Sequence, residues 1–296
     1  MSLRPSTVSA ARVHNALLGG DGGFTLDLAV ADQVTAAAPW WPSAVRSMHC
    51  HGLRMVAHLA ARGLHQFLDL GSGMPLASRQ QVHEIAASPL PAPGALRTVY
   101  VDRDPHAHTA RRIAPTCRPG ARTVIGDIGD IGDIETLLEH PSVQAIDFQR
   151  PVAVLLHDVL PWLPDDEAAH LVTELRRRLP PGSVISVTHL LAAPPPYATT
   201  PLVRCYREVG IGLRPRGLAV ITALGGTWPA YTHGPHTGCG PLPVCALLMR
   251  APGPGRFTRP WFWSPSLRGT FRDSPPSRRT PRSNSGAEGA ICAGAR

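Results

Sequence analysis

From residue 66 onward, short apolar runs alternate with stretches of helical period: QFLDL then 75–87, RTVYV then 105–114, RTVIG then 133–140, PVAVLL then 165–179, and SVISVTHL. No other feature constrains the fold as much. Parallel strands need a long crossover between them, and a helix supplies it. Runs rich in Val, Ile and Leu suit strands buried on both faces. The expected fold class is therefore α/β, with a mostly parallel central sheet flanked by helices. A last strand is expected at VCALLMR, 244–250, and a helix near CYREV.

The segment 165–179 shows the local logic. Asp165 is expected to cap the helix after Pro164, with Asp166 and Glu167 in the first turn. Ala168, Leu171, Val172, Leu175 and Leu179 fall on one face, and Arg176, Arg177 and Arg178 sit where cations favour the helix dipole. Pro180-Pro181-Gly182 ends it.

Residues 9–62 precede the alternation and read as helices. Val13 and Leu17 lie four apart before Gly19-Gly20, a stop signal. Leu26, Val30 and Val34 are expected on one face of the next helix. Pro39 and Pro42 bracket Trp40-Trp41 as a break, and 43–62 resumes the helical pattern.

The formal net charge is +8, and every cation is an arginine. Eight arginines against Asp273 and Glu288 put +6 of it in residues 251–296, which leaves +2 for residues 1–250. The folded part carries no general electrostatic case for nucleic acid. The tail is rich in Pro, Ser, Gly and Arg without apolar period, and is expected to be disordered. The six cysteines form no CxxC pair and read as reduced thiols. The sequence shows no secretory signal core and no apolar run of membrane-spanning length. A cytoplasmic protein is expected, divided into a helical segment 1–62, a sheet domain 63–250 and the tail 251–296.

The chemistry is expected at FLDLGSGMP, Phe67–Pro75. Gly71 and Gly73 let the backbone approach a ligand closely, with Ser72 between them. Pro75 suits a first helical position, so a helix N-terminus is expected to face the same place. A dinucleotide fingerprint wants a third glycine where Leu76 stands, which argues against a nicotinamide dehydrogenase. Asp69 beside the turn is unhelpful to a diphosphate. It suits a ligand that carries an ammonium and a sulfonium, as S-adenosylmethionine does.

Two more acids fall at strand ends, where ligands of open α/β sheets bind. Asp102 is placed to take both ribose hydroxyls, with Arg103 beside it, and Asp127 to meet the adenine amine, with Ile128 beside it. The bland alternative is that each acid merely caps the following helix. The triplet repeat GDIGDIGDIE offers Asp130 and Asp133 as competitors, and Asp127 leads because it is nearest the strand.

The chain resembles the class I S-adenosylmethionine-dependent methyltransferases. More narrowly, it resembles a bacterial family called simply S-adenosyl methyltransferase, formerly a domain of unknown function. The resemblance is carried by RVHNALLGGDGGF, QFLDLGSGMP, QVHE, VYVDRDP and PVAVLLHDVLPWLPDDE, over about residues 5–190. It implies a Rossmann-like fold with an N-terminal helical lid and S-adenosylmethionine as cofactor. Asp69, Gly71 and Gly73 would hold the methionine end, Asp102 the ribose and Asp127 the adenine. Asn15-Ala16 stand where the family often has Asp-Tyr, and Met48-His49 where it often has Asn-Arg.

His157 follows the fourth strand and is the expected general base, since its ordinary pKa is near neutrality. The PPPY at 194–197 follows the wrong strand, after Ala193, for the loop of amino-group methyltransferases. His233, His236, Cys239 and Cys245, like His49-Cys50-His51, match no standard zinc spacing, and no metal is expected. The leading expectation is methyl transfer to a small-molecule acceptor. The competing one is a regulatory protein that keeps the cofactor cleft without turnover, motivated by the altered lid residues.

Overall fold

The computed structural model describes residues 7–76, 80–88, 96–113, 120–128, 133–193, 196–233 and 242–253. The strand–helix alternation closes into one sheet. Its strands are β1 (Gln66–Leu70), β2 (Arg97–Asp102), β3 (Ala121–Ile125), β4 (Ala153–His157), β5 (Val184–Leu190), β6 (Ala230–His233) and β7 (Val244–Arg250). The order across the sheet is β3-β2-β1-β4-β5-β7-β6. Strands β1 to β5 pair in parallel, β7 runs antiparallel to β5, and β6 antiparallel to β7. The order reverses between β1 and β4, so the cleft opens where the chain leaves those strands.

Three helices precede the sheet: α1 (Ala10–Leu17), α2 (Thr25–Ala37) and α3 (Trp41–Ala61). The crossovers carry α4 (Val82–Ala87), α5 (Pro105–Ile113), α6 (Asp133–Glu139) and α7 (Asp165–Arg178), and α8 (Thr200–Glu208) and α9 (Leu218–Ala223) follow β5. Every residue of β1 and β5 is buried, as strands covered on both faces require. On one face Leu68, Leu70, Val154 and Leu156 pack against Leu171, Val172 and Leu175 of α7. Truncating Leu175 to alanine would cost about 2–5 kcal/mol. A second cluster joins α1–α3 to α8 through Val13, Val34, Trp41, Met48, Leu202 and Tyr206.

Several local expectations change. Leu26 is 52% exposed; the buried face of α2 is Asp27, Val30, Ala31 and Val34. Trp41 is not part of a break but the first residue of α3, and it is fully buried. Helix α4 starts at Val82, so Pro75 is not its first residue, and among the described residues no helix N-terminus abuts the glycine turn. Asp165 does not cap α7: Pro164 holds that position, and the Asp165 carboxylate accepts from Arg216 Nε at 2.8 Å. The buried Arg216 also donates to the carbonyls of Leu160 and Leu163, each at 2.7 Å. That tie fixes the turn before α7 from a residue too remote in sequence to signal it. Strand β6 and helix α9 were not expected.

The expected disordered tail falls outside the described residues from 254 onward. Among the described residues no helix is long and apolar enough to cross a membrane.

Candidate functional site

The glycine turn leaves β1 in the conformation its sequence anticipates. Gly71 has φ +68° and Gly73 φ +63°, the left-handed region that glycine enters without strain. A Cβ on Gly71 would stand 2.7 Å from Val159 Cγ2, so that glycine is also required by the close approach of the chain after β4. The turn is anchored on β2: Ser72 N–H donates to Val101 O at 3.0 Å, and Gly73 N–H to Asp102 Oδ2 at 2.7 Å.

Asp69 and Asp102 thus share one cleft, both buried. Burial pushes the Asp69 carboxyl up to about 7, opposed by the Arg111 guanidinium and reinforced by the charge of Asp102. Burial also raises Asp102, against the N–H groups of Asp104 and Gly73. Both carboxylates are short of compensating charge, which is the condition a cationic ligand relieves.

Arg111 is a site residue that sequence reading missed. From α5 it donates to Ser72 O at 2.7 Å, Gly73 O at 3.2 Å and Gln81 Oε1 at 3.0 Å, and its guanidinium lies 4.2 Å from the Tyr100 ring centroid. It therefore holds the turn through its carbonyls. Its only sequence signal was an arginine in the last turn of a short helix, which reads equally as a dipole partner.

Asp127 is held more loosely. It lies two residues beyond β3 and meets Arg103 at 3.5 Å, Arg103 largely and Asp127 partly solvated, a pair worth about 0–1 kcal/mol. Ile128 packs half-buried against the sheet core. Asp69, Gly71, Ser72, Gly73, Asp102, Arg103, Asp127, Ile128 and His157 all line one cavity of about 230 Å³. Asp130, and the side chain of Asp133, fall outside the described residues.

His157 ends β4 beneath α3. Its Nε2 lies 2.9 Å from Ser186 Oγ, and its ring presses on Gly52, where a Cβ would meet Nδ1 at 2.6 Å. Burial, then the neighbouring His51 and His49, push its pKa down to about 3. His14 and Asp158, in the same cavity wall, are a second pair that sequence reading did not bring together: His14 Nε2 contacts Asp158 Oδ2.

The N-terminal helices are tied to the loop after β2. Arg12 of α1 pairs at 2.7 Å with Asp27 of α2 and at 2.7 Å with Asp104 after β2, and all three are buried. Asn15 Oδ1 accepts from Gly22 N–H at 2.8 Å, which shapes the loop after Gly19-Gly20. Among the described residues no His, Cys, Asp and Glu cluster could hold a metal ion.

The sequence model of a family described as S-adenosyl methyltransferase matches residues 2–226. Among solved structures, the chain is similar to a provisionally assigned methyltransferase of Thermobifida fusca YX, at 30% identity and a TM-score of 0.75, over 83% of this chain and 96% of that one. It is also similar to a DUF574 family protein of Streptomyces avermitilis MA-4680, at 26% identity and a TM-score of 0.74, over 83% of this chain and 98% of that one. No curated protein matches it significantly.

Proposed function

The chain belongs to the S-adenosyl methyltransferase family, and from that premise we propose that it transfers a methyl group from S-adenosylmethionine to a small-molecule acceptor. The observation that carries the proposal is the pair of buried carboxylates, Asp69 and Asp102, on either side of a turn whose two glycines both take positive φ. In this reading Asp69, Gly71, Ser72 and Gly73 hold the methionine end. Asp102 and Arg103 take the ribose, and Asp127 with Ile128 borders the adenine. The residues fit the cofactor because a cation beside Asp69 removes the charge deficit that its raised pKa records.

When bound, the cofactor supplies an electrophilic methyl carbon on a sulfonium. Transfer is an in-line displacement, so the protein's part is to align the acceptor and exclude water. The helical segment 1–62 serves as the lid that does so. Leu18 of the α1 end and Val45 and Leu53 of α3 give the cavity an apolar wall. His157 contributes to the floor of the site. A histidine held near 3 is a weak base at neutral pH, so its role in this reading is to shape the pocket rather than to take a proton.

Calorimetry with S-adenosylmethionine and with its demethylated product tests the cofactor assignment. Binding should be lost or strongly weakened in Asp69→Ala and Asp102→Ala. Equal affinity in both variants would remove it. Labelled-methyl transfer to an acceptor panel tests turnover. Tight binding without any methylated product would favour the regulatory alternative.

A further inference from the structure

A second cavity, of about 410 Å³, shares a wall with the cofactor cleft and takes no part in the roles assigned above. Gln81, Tyr100 and Arg111 line both and stand between them. Tyr100 of β2 and Thr123 of β3 are register partners, so their side chains leave the same face of the sheet. Both border this cavity, joined by His83 of α4 and by His108, Arg111 and Arg112 of α5. Arg122 of β3, the strand at the sheet edge, and Ser142 also line it.

The charge of this lining is all of one sign. It holds three arginines and two histidines, and no Asp or Glu is among the described residues that form it. Arg112 and Arg122 make no ion pair with any described residue. The acid nearest in sequence on α4, Glu84, is engaged elsewhere: its Oε2 accepts the Gln81 N–H at 2.8 Å. Residues 1–250 carry a net charge of only +2, so gathering three arginines here leaves the remainder of that part at −1. Burial, then the charge of Arg112, lowers the His108 pKa, so a further cation is already disfavoured in this place. An anion is favoured for the same reason.

We propose that this cavity binds a small phosphorylated molecule through its phosphate groups, at a site separate from the cofactor cleft. Arg111 is the fixed cation of the site. Its guanidinium is held by the Ser72 and Gly73 carbonyls and by Gln81 Oε1, and lies 4.2 Å from the Tyr100 ring centroid. Arg112 and Arg122 are exposed, one on α5 and one on β3, and donate to the phosphate oxygens from the rim. The planar fork of arginine matches phosphate oxygens in pairs, which a carboxylate-free pocket leaves available to a ligand. The hydroxyls of Thr123 and Ser142 are further donors; Thr123 Oγ1 lies 3.2 Å from His108 Nδ1. The site is concave, between two helices and the sheet edge. That shape suits a small molecule, whereas a nucleic-acid backbone calls for a stripe of cations along a surface.

The test is calorimetric titration of the full chain with inorganic pyrophosphate at fixed ionic strength. Wild type should bind it. Arg112→Gln with Arg122→Gln should weaken that binding by about tenfold or more, because charge-assisted hydrogen bonds to phosphate are lost. Both side chains are exposed, so the urea midpoint of this double variant should match wild type, which separates lost binding from lost fold. The eight arginines of residues 251–296 are the competing source of pyrophosphate affinity. A full-length variant with all eight replaced by glutamine should retain the binding that the double variant loses. Wild type that binds no pyrophosphate would overturn the proposal. So would affinity that survives in Arg112→Gln with Arg122→Gln, or that disappears with the tail arginines alone.

Discussion

Arg12 Nη1 lies 2.7 Å from Asp104 Oδ2, ninety-two positions away in sequence and buried with it. The same guanidinium reaches Asp27 through Nε, so one residue joins α1, α2 and the loop after β2. Asp104 N–H in turn donates to Asp102 Oδ1 at 2.8 Å. Helices α1 and α2 are therefore one hydrogen bond removed from the proposed ribose-binding carboxylate.

Replacing Arg12 by methionine keeps length and packing but strands two buried carboxylates. Breaking a buried pair from one side costs about 3–5 kcal/mol. Urea unfolding should show that loss, and calorimetry should show weaker cofactor binding through a displaced Asp102. If Arg12→Met is as stable as wild type, the network does not hold α1 to the sheet.

Under the proposed roles, Asp69 should make cofactor binding pH-dependent. Its pKa is pushed up to about 7 by burial, with Arg111 opposing and Asp102 reinforcing. Below that pH the empty site holds a neutral carboxyl, which must lose its proton to pair with a cation. Affinity for S-adenosylmethionine should therefore rise with pH from 5.5 to 7, by at most about tenfold per pH unit, and flatten above. Without cofactor the sign reverses: a carboxyl raised from 3.8 adds stability that is full below 3.8 and is lost as pH climbs through about 7. Asp69→Asn should weaken binding and remove the pH slope. A slope that survives the substitution would place the titrating group elsewhere.

The two glycines of the turn are not equivalent. An alanine at either meets the strain of positive φ, about 1–2 kcal/mol. At Gly73 a Cβ finds open space, but at Gly71 it stands 2.7 Å from Val159 Cγ2. Gly71→Ala should therefore lower the unfolding midpoint more than Gly73→Ala. Adding Val159→Ala to Gly71→Ala should recover the difference between them, apart from the cost of the valine itself. Equal midpoints for the two single variants would contradict the close approach.

What was legible in the sequence was periodic or local. The short apolar runs marked the strands that became β1 to β5 and β7, and burial on both faces accounts for them most fully in β1 and β5. The turn glycines were legible because positive φ restricts the residue type. The ties that build the site from a distance were not. Arg12–Asp104, Arg111 on the Ser72 and Gly73 carbonyls, and His14–Asp158 each join residues whose separate neighbourhoods look ordinary. The start of α4 failed for a related reason: Pro75 is compatible with a first helical turn, but Ser72 N–H pairs with Val101 O and Arg111 holds the carbonyls that follow. The backbone of the turn serves the cleft, and α4 begins at Val82. Strand β6 lacks the apolar run of the others because it is short and lies at the sheet edge.

Acid stability follows from two buried histidines. Burial, then His51 and His49, hold His157 near 3; burial and Arg216 hold His189 near 4, with its own Leu190 carbonyl opposing. Both are depressed from 6.5, so the unfolded chain takes up protons that the folded chain refuses. Their effect is absent above about 6.5 and grows as pH falls toward 4, where each refused proton costs the fold up to about 1.4 kcal/mol per pH unit. His157→Gln keeps a polar partner for Ser186 Oγ and removes one of the two titrating groups. Its urea-derived stability should fall less steeply than that of wild type between pH 6 and 4.5, by about one proton's slope. Parallel pH profiles for the two proteins would mean that His157 gains its proton in the folded state and is basic enough to take one during the reaction.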